Sequence, residues 1–410
     1  MHFTPWQDRF GFDGRVIAEA KFHDTCDDDY ERFLKKHGFS RKDLHDLTSE
    51  EYIDNCTTVK SKVPTELHID SFVGASVCEY LENVDGPFCL FASFLSPHNP
   101  YDPPAPYDTL FDDVELPERN MLPGEVDRKP KIAYNYINDR LNRSYKSDEI
   151  TPEQVRTMKK AYYGLNTLVD DWIGRIISIL KEKGLYENTI IIYTSDHGDL
   201  LGDHGLFYKQ CFYEQSVRAP LIIHAPQYFA PGRSPAMVEN IDLFNTICEM
   251  GDADPGEGRM GKSLVPMLSN PDERDFHRQA AFSENYFGRM VRTGPWKMVY
   301  YPGKDLGELY NLDEDPDEQI NLWDEMKDSD TVRELKDMLL EWAFATEDTL
   351  PLPVRPDHQD QSLRQFVPSA NGLTCEQEIQ DWYFYDLRNL HINSEFSRDW
   401  NAVQPDIVRN

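Results

Sequence analysis

Residues 189–199 read Thr-Ile-Ile-Ile-Tyr-Thr-Ser-Asp-His-Gly-Asp, a short apolar run followed directly by a polar turn. A run of β-branched and aromatic residues of this length is typical of a strand that is buried on both faces. Similar runs occupy residues 87–95 and 219–224, and helical patterns separate the first two runs. Strands that alternate with helices predict an α/β fold with a mostly parallel central sheet flanked by helices.

The longest helix predicted from the sequence covers residues 152–183. Apolar side chains recur there every three or four residues, which gives one apolar face, and Gly184 follows as a stop signal. Shorter helices are predicted at residues 29–36, 64–83 and 240–250.

The pattern changes after about residue 279. Short alternating runs between 280 and 312 are separated by Gly and Pro turns, which predicts a small antiparallel sheet, and a helix is predicted at residues 325–345. We therefore expect an α/β domain over residues 1–270, a C-terminal α+β subdomain over 271–348 and a wrapping tail over 349–410.

The composition excludes some classes of protein. The chain has 42 basic and 73 acidic residues and a formal charge of −31, which argues against a general nucleic-acid binder. No apolar run approaches the roughly 20 residues that span a bilayer, and no signal-peptide pattern opens the sequence. The seven cysteines are scattered without a Cys-x-x-Cys pair, so a zinc finger or a disulfide framework is disfavoured.

Polar residues follow two of the predicted strands. His98 comes shortly after the first strand, and Asp196 and His197 follow the second. Ligands of open α/β sheets bind beyond the carboxyl ends of the strands. A carboxylate and an imidazole can hold one divalent cation, whereas the alternative is a solvated turn. The position at a strand end favours the cation site.

Three further residues are candidates for a site. Lys209 can neutralise an anionic oxygen, although a lone lysine is more often a surface residue. His98 lies on a turn stiffened by two prolines and could donate to an oxyanion or leaving group, or it could be a hydrogen-bonded loop histidine. For His204 we favour a structural role over a supporting role at the site.

Five segments resemble the sulfatases of the alkaline-phosphatase superfamily, and they occur in the order of that family. The first two, Ser-Asp-His-Gly-Asp-Leu-Leu-Gly-Asp-His-Gly-Leu-Phe-Tyr-Lys and Val-Arg-Ala-Pro-Leu-Ile-Ile, resemble its metal-and-lysine segment. Ser-Pro-His-Asn-Pro-Tyr resembles its Pro-His-x-Pro turn. Gly-Lys-Ser-Leu and Glu-Leu-Tyr-Asn-Leu-Asp-Glu-Asp-Pro-Asp-Glu-Gln-Ile-Asn-Leu resemble segments that come later in the family. The segments cover residues 195–209, 217–223, 96–101, 261–264 and 308–322.

The resemblance implies roles for five residues. Asp196 and His197 would be two ligands of a divalent cation, usually calcium in this family. Lys209 and His98 would contact the sulfate, and His98 would be a candidate for protonating the leaving alcohol. If the first residue of the chain occupies the variable position of the family's Gly-Lys-x-His element, His2 is its histidine.

The sequence departs from the family pattern at the nucleophile. The family takes its nucleophile from Cys-x-Pro-Ser-Arg or Ser-x-Pro-Ser-Arg, whose first residue becomes formylglycine, and neither motif is present. The Asp-Asp pair that supplies further metal ligands is also missing. We therefore expect an N-terminally incomplete α/β domain with weak cation binding, no turnover by this chain alone and exposed apolar surface.

The resulting functional prediction is a sulfatase-type hydrolase of sulfate esters, with a small-molecule or carbohydrate substrate and no nucleic-acid or membrane partner. A phosphodiesterase or phosphonate monoester hydrolase of the same superfamily is an alternative. A non-catalytic homologue, or one subunit of a split enzyme, is another. Members of the family are often exported, and the sequence predicts neither a location nor an oligomeric state for this chain.

Overall fold

The computed structural model describes residues 11–19, 21, 27–45, 49, 52, 55, 57–131, 150–256, 260–285 and 287–346. His2 and the predicted tail at 349–410 lie outside the described residues. The helices, in chain order α1 to α9, are Asp29–Lys36, Ile69–Asn83, Glu125–Arg128, Pro152–Glu182, Glu214–Val217, Asp242–Met250, Val265–Ser269, Trp323–Met326 and Asp330–Thr346.

The helices predicted from periodicity are confirmed, with two of them divided. The pattern at 325–345 covers the end of α8 and most of α9. The pattern at 64–83 is a short 3₁₀ helix, Thr65–Leu67, followed by α2. His68 separates the two, because its extended backbone ends the first helix and its side chain accepts the Asp70 N–H that begins the second.

Helix α4 is the longest element described, and it begins at a capping box. The side chain of Thr151 accepts the N–H of Gln154, and the Gln154 side chain accepts the N–H of Thr151. The helix packs along α2 at a very close approach, where a Cβ on Gly74 would overlap the indole ring of Trp172. Glycine is therefore required at this crossing.

The main core joins α4 to the segment that follows residue 198. Val155, Met158 and Leu165 of α4 are buried against Leu200 and Leu206. Helix α4 thus packs against the residues that follow the polar turn, and this packing fixes the position of the turn relative to the core.

The pairing of the two central strands differs from the predicted parallel arrangement. β1, Ile191–Thr194, pairs antiparallel with β2, Leu221–His224, and Thr194 lies opposite Leu221. Two parallel strands need a crossover connection that carries the chain back to the end of the sheet where the first strand began. The segment between these strands contains only the four-residue α5 and a short 3₁₀ helix. β2 therefore begins at the end of the sheet where β1 finishes, and the two strands are antiparallel.

The predicted strand at residues 87–95 belongs to neither sheet in the described part of the chain. Two of its apolar side chains are exposed, Phe91 by 53% and Leu90 by 37%, whereas Phe88 and Leu95 pack against core clusters. On β2, Ile222 is 62% exposed. Exposed apolar side chains therefore lie on this segment and on β2, while their link to a missing part of the domain stays a prediction.

The predicted C-terminal antiparallel sheet is confirmed. Its strands β3 to β6 follow the chain in order, and each pairs antiparallel with the next. Helix α9 covers the sheet through a buried apolar cluster. The domain bounds stay a prediction. The strands span Ala280–Glu284, Arg289–Thr293, Trp296–Tyr300 and Gly307–Asn311.

None of the described helices combines the length and the apolar composition that a bilayer crossing demands.

The α2–α4 crossing provides a stability prediction with an internal control. Gly74→Ala should lower the free energy of unfolding by about 1–3 kcal/mol, because the added methyl overlaps the Trp172 ring. Gly174→Ala, in the interior of α4 with open space around it, should raise stability by up to about 1 kcal/mol. Urea unfolding of both variants measures the two effects, and equal effects would contradict the close packing.

Candidate functional site

The polar turn after β1 is tied to the residues that lead into β2. The N–H of Gly198 donates to the carbonyl of Ser216 at 2.8 Å, and the hydroxyl of Ser216 donates to the carbonyl of Lys209 at 2.8 Å. One residue of α5 therefore holds both the turn and the segment that carries the lysine.

Gly198 is required for this contact. A Cβ at this position would overlap the carbonyl oxygen of Gln215, so any larger residue would push the turn away from α5. This requirement gives a physical reason for the glycine in the Ser-Asp-His-Gly sequence.

Asp199 organises the next part of the loop. Its carboxylate accepts the N–H groups of Leu201 and Tyr208 at 3.1 and 3.2 Å and the hydroxyl of Tyr101 at 2.7 Å. Burial raises the pKa of Asp199 despite these hydrogen bonds. Because Tyr101 follows the His98 turn, Asp199 connects the two polar turns. Sequence reasoning did not single out Asp199 or Tyr101. The one sequence feature that could have indicated Asp199 is the Gly-Asp pair that occurs at 198–199 and again at 202–203.

His197 and Lys209 are brought into direct contact. The Lys209 Nζ lies 2.6 Å from His197 Nε2, while His197 Nδ1 lies 2.8 Å from the carbonyl oxygen of Gly198. Assigning the ring proton to Nδ1, where it donates to this carbonyl, leaves Nε2 as the acceptor. Burial and the Lys209 charge lower the pKa of His197, which favours this neutral form.

Asp196 lies beside this pair and faces solvent. Its Oδ2 is 3.5 Å from His197 Nε2, and its side chain is 73% exposed. Partial burial works against the charged form, but the neighbouring His197 and Lys209 lower the pKa of Asp196 overall. The carboxylate is therefore ionised and accessible.

His98 belongs to the same group of side chains. Its Nδ1 lies 2.7 Å from the carbonyl oxygen of Asn99, which leaves Nε2 as the free ring atom. The residue has an exposed side, yet burial of the rest of the ring, followed by the charge of Lys209, lowers the pKa of His98 below its usual value. The structure thus brings His197 and Lys209 into contact, and the Lys209 charge reaches His98. The roles of the three residues stay a prediction.

His204 has the structural role favoured from the sequence. It is fully buried, its Nδ1 lies 2.6 Å from Glu125 Oε1, and its ring stacks on Tyr213 at 4.0 Å. Lys129 Nζ lies 2.7 Å from the same Glu125 oxygen. The cluster anchors the lysine-bearing loop to α3.

The C-terminal sheet also supports the loop. Buried Lys297 on β5 pairs with Glu214 at 3.0 Å and Glu318 at 2.7 Å, and Arg292 pairs with Glu214 at 2.7 Å. Glu214 begins α5, the helix that contains Ser216. Sequence reasoning missed this link, because a lysine in an alternating strand carries no sign of a buried partner.

The metal-ligand set is incomplete among the residues that the structure describes. No group of three or more His, Cys, Asp or Glu side chains is arranged to hold a metal ion there. Asp196 and His197 supply two donors, and Lys209 already contacts the imidazole donor. Calcium takes six to eight oxygen ligands, so these two residues do not by themselves make a calcium site.

Comparisons with known proteins identify the class. The family model described as Sulfatase matches residues 16–253, which is more than half of the chain, and the chain belongs to the sulfatase family. A second model, described as the C-terminal part of N-sulphoglucosamine sulphohydrolase, matches residues 202–344.

Individual relatives agree with this assignment. The chain is 32% identical to a choline-sulfatase of Rhizobium meliloti over 58% of its own length and 46% of the relative's. It is 28% identical to an arylsulfatase of Clostridium perfringens, over 78% of this chain and 69% of the relative. The chain therefore spans about half of the first relative and about two thirds of the second.

A solved structure also shows the same fold. The phosphonate monoester hydrolase of Silicibacter pomeroyi matches with a TM-score of 0.64 and 25% identity, over 78% of this chain and 69% of that chain. This likeness confirms the α/β fold of the alkaline-phosphatase-like type predicted from the sequence, while the details of the central sheet are those given above.

The cluster behind the loop yields a pH prediction. Burial alone would raise the pKa of Glu125, but hydrogen bonds from His204 and Lys129 outweigh it and lower the pKa from 4.5 to about 2. A carboxyl whose pKa is lowered by folding stabilises the fold above its unfolded pKa and loses that contribution as pH falls. The contribution is therefore lost between pH 4.5 and about 2.

Glu125→Gln should destabilise the protein at pH 7, and its deficit relative to the unchanged protein should shrink below pH 4.5. Urea unfolding of both proteins at pH 7, 5 and 3.5 measures the deficit. A deficit that stays constant or grows as the pH falls would contradict the assigned charge state of Glu125.

Proposed function

We propose that the site around Lys209 binds the sulfate group of a sulfate ester and belongs to a sulfuric ester hydrolase. The observation that carries the proposal is the contact of Lys209 Nζ with His197 Nε2 at 2.6 Å, beside the exposed carboxylate of Asp196. His98 is near enough for the Lys209 charge, after burial, to lower its pKa. The Lys209 ammonium and a protonated His98 imidazole can donate hydrogen bonds to an anionic group. Membership of the sulfatase family supports the choice of sulfate.

Lys209 is proposed as the principal anion contact. Its ammonium is held near the site through its own carbonyl, which accepts from Ser216. The net charge of the chain is −31, so a local cation must outweigh the surrounding negative field when an anion approaches. This background favours a small sulfate ester or a carbohydrate with few sulfates over a highly charged polymer.

His98 is proposed as the donor to the leaving alcohol. Burial, followed by the Lys209 charge, lowers the pKa of His98. A bound sulfate offsets that positive charge, so the imidazole can take up a proton on Nε2 while Nδ1 stays on the Asn99 carbonyl. When a nucleophile bonds to the sulfur and the ester sulfur–oxygen bond breaks, donation of the Nε2 proton to the ester oxygen would release a neutral alcohol.

Asp196 and His197 are proposed as two ligands of a divalent cation, with calcium as the expected ion of the family. The cation would supply charge compensation for the sulfate. Since His197 Nε2 contacts Lys209, it can ligate a cation only when Lys209 turns towards the anion. Two protein ligands imply weak binding.

The nucleophile is not among the residues of this sequence, which contains no Cys- or Ser-x-Pro-Ser-Arg motif. The residues present account for anion binding and proton donation only. A non-catalytic homologue or a split-enzyme subunit would show binding of this kind without turnover.

The phosphonate monoester hydrolase reading is the second candidate, because a solved phosphonate monoester hydrolase shares the fold at 25% identity. The same lysine and histidines could surround a phosphonate. Relative affinities for matched sulfate and phosphonate esters separate the two functions.

Lys209→Ala should weaken the binding of 4-nitrophenyl sulfate by at least tenfold, about 1.4 kcal/mol, because it removes the ammonium group that pairs with the sulfate. Titration calorimetry with the full chain measures the affinity. Lys60→Ala removes a lysine that is 74% exposed and should leave the affinity unchanged. Equal affinity of all three proteins would rule out the Lys209 site.

The same titration with 4-nitrophenyl phenylphosphonate should give weaker binding than the sulfate ester; the reverse order would favour the phosphonate reading. No 4-nitrophenol release is expected from the chain alone. Saturable release would overturn the expectation that the nucleophile is missing.

Calcium should bind with a dissociation constant of about 0.1–1 mM, and Asp196→Asn should abolish saturable binding. Asp113→Asn, at an exposed carboxylate away from the turn, is the matched control and should not change it. Calcium titrations followed by calorimetry give both results, and equal binding by the two variants would exclude Asp196 as a ligand.

A further inference from the structure

A buried lysine lies directly beneath the His98 turn. The Nζ of Lys21 donates to the carbonyl of His98 at 3.0 Å, to the carbonyl of Pro100 at 3.1 Å and to Asp102 Oδ1 at 2.8 Å. An ammonium has three N–H donors, and each has an acceptor here. The residue is only 2% exposed, so these contacts are not shared with bulk solvent.

Asp102 balances the lysine charge in the interior. It is 3% exposed, and His45 Nδ1 and His68 Nε2 lie 3.4 and 3.7 Å from its carboxylate oxygens. Burial alone would raise the pKa of Asp102, but Lys21 and the two imidazoles hold it well below the usual range. The carboxylate is therefore charged, and the Lys21–Asp102 pair is a buried ion pair.

A second buried charge holds the other side of the turn. Asp70 is fully buried, and its Oδ1 accepts the N–H groups of Leu95 and Ser96 at 2.7 and 3.1 Å. The backbone is thus held by an anion before His98 and by a cation at and after it. Charge-assisted hydrogen bonds of this kind are stronger than neutral ones.

We propose that Lys21 is a positioning residue for His98: by binding the carbonyls of His98 and Pro100, its ammonium sets where the imidazole lies relative to Lys209. The inference rests on the proposed function only for the part that concerns sulfate binding. Lys21 itself lies beneath the turn and acts through the backbone, so it does not touch the bound ester.

Lys159 offers a matched control elsewhere in the fold. It is also a buried lysine, its Nζ donates to the carbonyls of Pro117 and Glu118 at 3.2 and 3.1 Å, and Asp203 lies 3.6 Å away. Lys159→Met should therefore cost stability in a similar way to Lys21→Met without releasing the His98 turn.

The first readout is backbone hydrogen exchange at the turn, which does not depend on any ligand. The His98 N–H donates to the Leu95 carbonyl at 3.0 Å. Lys21→Met should speed exchange of this amide by about tenfold or more relative to both the unchanged protein and Lys159→Met. Equal exchange in Lys21→Met and Lys159→Met would overturn the proposal.

The second readout is the affinity for 4-nitrophenyl sulfate in a double-variant cycle. Lys21→Met should weaken binding by about fivefold or more, and adding it to His98→Ala should cause no further loss, because Lys21 acts through His98. Losses that simply add, or a loss equal to that of Lys159→Met, would show a general structural role instead.

Two outcomes need separate treatment. If Lys21→Met does not fold because Asp102 is left unpaired, Lys21→Met with Asp102→Asn removes both charges and still deletes the carbonyl contacts; it is expected to give the same exchange and affinity changes. If His98→Ala binds 4-nitrophenyl sulfate normally, the proposed role of His98 fails, and the exchange experiment alone decides whether Lys21 holds the turn.

Discussion

The site depends on the contact between the Gly198 turn and helix α5. The Gly198 N–H donates to the Ser216 carbonyl, and the Ser216 hydroxyl donates to the Lys209 carbonyl, so a single residue sets the distance between the acidic turn and the lysine. The ion pair between Glu214 and buried Lys297 connects α5 to the C-terminal sheet, which makes that sheet part of the support of the site.

Local patterns were sufficient for much of the fold. The helical periodicity over 152–183 and the alternating runs after 279 correctly predicted α4 and the four-stranded sheet, because both depend on side chains close together in the sequence. The antiparallel pairing of β1 and β2 was missed, since an apolar run indicates a strand without indicating its direction or partner. The same limit applies to residues 87–95, where an apolar run is not part of a sheet among the described residues.

The candidate site was predictable to the extent that its residues follow strand ends or match family motifs. Asp196, His197, Lys209 and His98 were proposed in this way, and the structure puts His197 in contact with Lys209 and beside Asp196. Lys21 gave no signal, because its acceptors lie 77 to 81 residues further along the chain and only folding brings them to it. Buried charges that support a site from beneath are therefore the part that sequence reasoning misses.

If closure of the loop by Gly198 creates the proposed sulfate-binding site, Gly198→Ala should bind 4-nitrophenyl sulfate more weakly. The added methyl would overlap the Gln215 carbonyl and separate the turn from α5, whereas Gly14→Ala adds a methyl in open space. We expect Gly198→Ala to lose at least tenfold in affinity for 4-nitrophenyl sulfate, about 1.4 kcal/mol, and Gly14→Ala to lose none. Unchanged affinity in a folded Gly198→Ala protein would contradict it.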